Sequence, residues 1–247
     1  MITDKILKKI ILFLTNLVKV EHIFTGKYET FHHAKVDGKE LQAKEKPILR
    51  KFSDLDLNHR FVIAPILVST FDKDDINILE VGGGENPIIS YIKKSTNKKI
   101  YSQVIETKNF CKNISPFIDK NKISDVEYLD NYKKINFNEF DIAYFGSSIQ
   151  YMSDSDLFLD KIFSSKIKFI LILDTFFNLG DKDFYVLHKK NKHINKFFSY
   201  KNFHQQFIKK NYKCIYENKK NVLDYRHDSI DFSEYTICDL IFKKINS

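Results

Sequence analysis

The chain has 247 residues, 43% hydrophobic and 15% aromatic, enough to close a sizeable core and too apolar for a disordered chain. Its net charge of +8 invites a nucleic-acid partner, but Arg50, Arg60 and Arg226 are the only arginines and the lysines are scattered. Without planar, bidentate arginine forks the excess reads as a solvated lysine surface, and no nucleic-acid partner is expected. Cys111, Cys214 and Cys238 are odd in number, widely spaced and free of any CxxC pattern. They exclude a disulfide framework and a zinc site, no metal is expected, and the chain suits the reducing cytoplasm.

Residues 2–20 predict a helix, with Ile6, Leu7, Ile10, Ile11, Leu14, Leu17 and Val18 near helical spacing and Lys5, Lys8, Lys9 and Lys19 between them. Two readings stand: a peripheral contact with the inner face of a membrane, or packing on its own domain or a partner subunit, which is preferred. The apolar run Ile10–Leu14 is far too short to span a bilayer, and no small-residue cleavage site marks a secretory signal. Residues 22–46 are polar, with a short helix expected from Thr30, its cap, and the adjacent pair His32 and His33 on it. Successive helix positions point about 100° apart, so structural or substrate-facing roles suit this pair better than a shared metal. A second helix is expected over residues 58–70.

From there strands and helices alternate. Strand Ile76–Val81 runs into Gly82-Gly83-Gly84, then a helix over Pro87–Ser95 and a strand over Ile100–Glu106. A helix over Lys108–Ile118 precedes a strand at Val126–Leu129. Next come a strand at Asp141–Phe145, a helix from Asp154 to Phe163 capped by Ser153, and a strand at Lys168–Leu173. After Leu173 the pattern changes to a long polar stretch, Asn178–Asn195, then a helix near Tyr200–Lys210 and closing strands at Tyr212–Glu217 and Tyr235–Phe242. This order specifies an α/β fold: a mostly parallel, seven-stranded Rossmann-like sheet with an antiparallel C-terminal edge. Residues 1–71 read as a helical N-terminal extension and residues 72–247 as one catalytic unit.

Three consecutive glycines after a buried strand let the backbone turn sharply and approach a ligand without an intervening Cβ. A dinucleotide site would want G-x-G-x-x-G, but Pro87 stands where the third glycine belongs, and Glu85 would repel a pyrophosphate. An acidic residue before the glycines, Glu80, fits the shorter loop of enzymes that bind S-adenosylmethionine (SAM). Asn86 tolerates the left-handed region, and Glu106 ends the next strand 22 residues past Gly84, placed to accept from two ribose hydroxyls. At the end of the fourth strand, Ser147, Ser148, Gln150 and Tyr151 face the glycine turn. Asp174 and Thr175 end the fifth strand on the same rim, and Asp174 is a candidate general base.

These residues resemble a family of SAM-dependent methyltransferases encoded mainly in bacterial surface-polysaccharide gene clusters. Gly26, Tyr28, Thr30, Phe31 and Ala34 are similar to that family's early G-x-Y-x-[T/S]-W-x-x-A segment, with Phe31 in place of tryptophan. Glu80-Val81-Gly82-Gly83 resembles its Asp-Phe-Gly-Gly, and Val104-Ile105-Glu106 its Val-Val-Glu. Ser147, Ser148, Gln150 and Tyr151 are similar to its Ser-Ser-x-x-Gln-Tyr, with the single residue Ile149 where that pattern has two, and Phe197-Phe198 looks like an aromatic pair before a late helix. The likeness spans about Phe24 to Glu217. Where the family usually has Asp-Arg-Thr-Pro, this chain has Asp174-Thr175-Phe176-Phe177, and Glu85-Asn86-Pro87 is also a departure.

The resemblance implies a cytoplasmic enzyme that binds SAM through Glu80, Gly82, Gly83, Gly84, Asn86, Glu106, Ser147, Ser148 and Gln150. Its expected acceptor is a sugar or sugar-linked group of a surface glycan, with Asp174, Tyr151, His32 and His33 as unranked candidates for the catalytic base. Two rival readings are a catalytically silent partner or scaffold of the same fold, motivated by the altered loop and missing arginine, and an RNA methyltransferase, motivated by charge alone.

Overall fold

A computed structural model describes residues 22–41, 59–84, 87–120, 124–220, 225–228, 230 and 234–245. The helix expected over residues 2–20, and Glu85 and Asn86 of the glycine turn, lie outside the described residues. In chain order the main elements begin with β1 (His22–Tyr28), α1 (Phe31–Asp37), α2 (His59–Ser69), β2 (Asp75–Val81), α3 (Ile89–Ile92) and β3 (Lys99–Ile105). They continue with α4 (Lys108–Lys120), β4 (Val126–Leu129), β5 (Ile142–Gly146), α5 (Ser155–Phe163), β6 (Phe169–Asn178), β7 (Phe184–His188) and β8 (Ile194–Ser199). Last come α6 (Tyr200–Lys209), β9 (Tyr212–Lys220), β10 (Tyr225–His227) and β11 (Tyr235–Lys244).

The described residues form two compact units. The larger takes those within 42–175, 204–218 and 238–247, and the smaller those up to 41 and within 176–203 and 219–237. In the larger unit the strand order is β4-β3-β2-β5-β6-β11-β9. The pairs β2–β3, β3–β4, β2–β5 and β5–β6 are parallel. The Lys244 amide donates to the Lys168 carbonyl and the Ile245 amide to the Asn211 carbonyl, each at 2.8 Å. The far end of β11 therefore meets the beginnings of β6 and β9, and β11 runs antiparallel to both. This mixed sheet is the Rossmann-like methyltransferase architecture.

Its central strands β2, β5, β6 and β11 are buried on both faces, which is why they read as near-continuous apolar runs. On one face Ile76, Ile78, Ile142, Tyr144, Leu171 and Leu173 pack with Ala64 and Val68 of α2 and Ile89 and Ile92 of α3. On the other, Phe145 meets Phe158 of α5 edge-on at 5.8 Å, and Phe242 stacks on Phe207 of α6 at 3.8 Å. Each fully buried side chain of this size contributes roughly 1.5–3 kcal/mol.

The smaller unit holds the order β10-β1-β7-β8, continued by the end of β6 through Phe177–Phe198 and Asn178–Ser199 pairing. Strand β7 runs antiparallel to both β1 and β8. Phe24, Phe176, Phe184, Val186 and Phe197 fill its core, with Phe176 stacked on Phe197 at 5.0 Å. Lys196, buried on β8, is held by Asp183 at 3.0 Å and by the face of the Phe198 ring.

Several expectations need correction. The stretch 178–195, read only as polar, holds strand Phe184–His188 and the start of strand Ile194–Ser199, disguised by the polar turns at Gly180–Lys182 and Lys189–Lys192. Phe197 and Phe198 accordingly sit inside β8. Residues 22–28 form β1, whose alternation is broken by an irregularity between Thr25 and Tyr28. The helix after the glycine turn is one α-turn, because beyond Ile92 the amides of Lys94 and Ser95 bond three residues back. Asp154, not Ser153, precedes α5, and its carboxylate accepts from the Tyr132 hydroxyl instead of capping the helix. The Thr30 cap is present, its Oγ1 accepting from the His33 amide at 3.2 Å. The described residues before residue 72 include strand β1 as well as α1 and α2, and they divide between the two units.

Candidate functional site

The candidate site lies in the larger unit, at the carboxyl ends of its parallel strands. Gly82 prolongs the β2–β3 pairing by donating to the Ile105 carbonyl at 2.9 Å. Gly82 and Gly84 then take φ of 70° and 58°, the left-handed region that costs a side chain about 1–2 kcal/mol. The three glycines differ in what surrounds them. A Cβ on Gly82 would come within 2.7 Å of the Ser148 Cβ, and one on Gly83 within 2.7 Å of the Glu80 Cδ. A Cβ on Gly84 would meet nothing within 4 Å among the described residues. The first two glycines let the turn settle against protein, and the third leaves space where a side chain would stand.

Two acidic residues support this turn in different ways. Glu80 is 2% exposed; its Oε2 accepts from the Ile88 amide at 2.8 Å, bracing the turn from beneath. Glu106 reaches the turn itself: Oε1 accepts from the Gly84 amide at 2.8 Å and Oε2 from the Thr107 amide at 3.1 Å. Burial holds the Glu106 carboxyl above its ordinary 4.5, with the two amide bonds pulling the other way. Each Glu106 oxygen keeps a second lone pair, the acceptor capacity that a ribose diol needs. The Tyr128 hydroxyl donates to the Gly84 carbonyl at 2.8 Å and pins the turn's other side. Burial, and then the charges of Glu106 and Asp130, push the Cys111 thiol up to about 11, so it is no nucleophile here.

Across from the turn, two residues that are not glycine sit in the left-handed region: Ser147 at φ 59° and Asp174 at φ 51°. Such backbone costs roughly 1–3 kcal/mol each and persists only where the surroundings enforce it. They are enforced by one network. The Gln150 side-chain amide donates to the Ser147 Oγ at 3.1 Å and the Asp174 carbonyl at 3.2 Å. The Asp174 amide donates to the Asp239 carboxylate at 2.8 Å, whose other oxygen takes Asn218 Nδ2 at 3.5 Å. The Ser148 Oγ is buried with no hydrogen-bond partner among the described residues, an orphan hydroxyl beside Gly82 that a ligand can satisfy.

The structure thus brings together Glu80, Gly82, Gly83, Gly84, Glu106, Ser147, Ser148, Gln150 and Asp174, all in the larger unit, with half-buried Tyr151 on the turn after β5. His32 and His33 are exposed on α1 of the smaller unit, their rings 6.5 Å apart. Asp239, Asn218 and Tyr128 were missed in the sequence; Asp239 had a signal, a lone acid inside the apolar run Ile237–Phe242. Among the described residues no His, Cys, Asp or Glu cluster could hold a metal ion, and no helix is long and apolar enough to cross a membrane.

No family model matches the sequence, and no curated protein matches it. Solved structures do share its fold. The N-terminal domain of EvdMO1, determined in the presence of S-adenosylhomocysteine (SAH) and D-fucose, is similar at a TM-score of 0.56 and 10% identity over 87% of this chain and 95% of that one. The same domain with SAH bound gives 0.54 and 10% over 78% and 83%. A SAM-dependent methyltransferase from Methanosarcina mazei gives 0.52 and 12% over 78% of this chain and all of that one. What is common at such identities is the fold: a class I, Rossmann-like methyltransferase fold.

Proposed function

We propose that the protein is a SAM-dependent methyltransferase acting on a sugar or sugar-linked group in surface-glycan assembly. The observation that carries the cofactor is the Gly84 turn, with space at its Cβ position and its amide held by the Glu106 carboxylate, together with a Ser148 hydroxyl that has no partner among the described residues. In this reading Glu106 accepts from the two ribose hydroxyls and Ser148 from or to the ligand's polar end. Gly82, Gly83 and Gly84 give close backbone approach, and Glu80 keeps the turn in place. SAM would supply an electrophilic methyl group on its sulfonium. The chain's task is to align an acceptor oxygen or nitrogen with that methyl and exclude water. A hydroxyl acceptor needs a base, for which Asp174 and Tyr151 stand on the rim of the larger unit and His32 and His33 on the smaller.

The glycan acceptor rests on the Ser147-Ser148-x-Gln150-Tyr151 resemblance, and the D-fucose present with the EvdMO1 domain is in keeping with it. The same reading puts the protein in the cytoplasm, and a peripheral contact of residues 2–20 with the inner face of the membrane is part of it. Titration calorimetry with SAM and SAH tests the cofactor: micromolar binding of both is expected. No heat at high micromolar ligand would overturn the proposal.

A further inference from the structure

Strand β9 closes one edge of the larger unit's sheet, and among the described residues it pairs with β11 alone. An open edge presents unpaired peptide groups to other chains, and proteins normally blunt it. Here Ile215 is 47% and Tyr216 40% exposed on that strand. The Ile245 amide donates to the Asn211 carbonyl, so that carbonyl faces β11 and, across the trans peptide, the Tyr212 amide points away from it. Strand alternation then turns the peptide groups of Tyr212, Cys214 and Tyr216 toward the open edge. It also places Lys213, Ile215 and Glu217, all exposed, on the face opposite Tyr212, which is buried against Phe163 and Phe207.

We propose that β9 is the interface through which two copies of this chain associate, their β9 strands pairing antiparallel about a two-fold axis at Ile215. The sequence Lys213-Cys214-Ile215-Tyr216-Glu217 is self-complementary in that register. Lys213 faces Glu217 of the partner subunit, Glu217 faces Lys213 of the partner subunit, and Ile215 faces its own copy. The peptide parity agrees. Cys214 and Tyr216 of the partner subunit become a hydrogen-bonded pair, and Ile215 sits at the closer, non-hydrogen-bonded position. Two shifted registers fail on charge, since an axis at Tyr216 sets Lys213 against Lys219 of the partner subunit and an axis at Glu217 sets that carboxylate against itself; an axis at Cys214 opposes no like charges but forms no Lys–Glu pair. A two-fold contact is isologous, which is why one strand can supply both halves.

The test is sedimentation equilibrium on the full chain. The wild type is expected to run as a monomer–dimer equilibrium, and Lys213→Glu to weaken it about tenfold or more by turning two attractive pairs into two repulsive ones. The double variant Lys213→Glu, Glu217→Lys restores the dimer, and circular dichroism confirms that both variants fold. Register is read separately in a Cys214→Ser background. There Ile215→Cys oxidises to a covalent dimer, because Cα atoms about 4.5 Å apart suit a disulfide, whereas Glu217→Cys does not. A wild type that stays monomeric at high micromolar concentration, or a dimer indifferent to Lys213→Glu, overturns the proposal. Neither outcome bears on SAM binding.

Discussion

Gly83 and Gly84 are adjacent in sequence but answer to different constraints. Gly83 has no room for a side chain, because Glu80 and Val104 close on it, whereas Gly84 has room but a left-handed backbone. Gly83→Val is therefore expected to displace the turn and weaken SAH binding by more than tenfold, about 1.4 kcal/mol, while Gly84→Ala costs about 1–2 kcal/mol of backbone strain and leaves a partly competent loop. Calorimetry on both variants checks the ordering; equal losses would show that the turn is not shaped by Glu80. Glu106 adds a pH signature. Its carboxyl is raised above 4.5 by burial, so its contribution to stability is present below 4.5 and lost as pH rises through the raised value. Ligand binding runs the other way, because ribose hydroxyls need the ionised acceptor. SAH affinity is expected to fall on acidification at a pH above 4.5, and Glu106→Gln should weaken binding and remove the pH step. A step that survives in Glu106→Gln would assign it to another group.

At the scale of elements, β6 carries the main irregularity of the site. Asp174 interrupts the strand in the left-handed region, and Asp239 on β11 takes its amide. Asp239→Ala leaves that amide without its acceptor and is expected to cost roughly 1–3 kcal/mol, with faster hydrogen exchange at Asp174. Asp239→Asn keeps an oxygen in place and should restore slow exchange; if it fails to, charge rather than acceptor geometry holds the strand. In the smaller unit, His227 joins β10 to β1. Its Nε2 lies 2.8 Å from the Gly26 carbonyl, and its Nδ1 accepts from the Ile230 amide at 3.0 Å, which requires the neutral ring protonated on Nε2. Burial, the largest cause, holds its pKa below the ordinary 6.5. The unfolded chain therefore binds the proton first. Stability is complete above 6.5 and declines as pH falls from there through the lowered value. Thermal melts across that range should show the decline, and His227→Gln should flatten it; an unchanged slope would place the titration elsewhere.

For the whole molecule, a ligand that binds only the folded chain raises its stability by about 2.7 kcal/mol at a hundred times its Kd. For a chain of this size that predicts a rise in Tm of roughly 5–10 °C with SAH. A flat melt under saturating SAH would count against the cofactor assignment. The architecture behind that expectation was legible in the sequence. The alternation from Ile76 to Leu173 and the closing strands define the larger unit's sheet, because parallel strands buried on both faces must be apolar throughout. The site was legible in part for the same reason, since chemistry in such sheets collects where strands end, but Tyr128, Asn218 and Asp239 were not read. The strands β1, β7 and β8 were not: the break in β1 and the lysine-rich turns around β7 and β8 hide short apolar runs behind polar averages. Sequence by itself determined the succession of strands along the larger unit, the place of the glycine turn and the identity of its acidic neighbours. Tertiary structure alone decided that Glu80 lies beneath Gly83 while Glu106 reaches Gly84, and that Asp239 holds Asp174. Those roles depend on the register between strands distant in the chain, and register is set by packing across the sheet, not by any local pattern of residues.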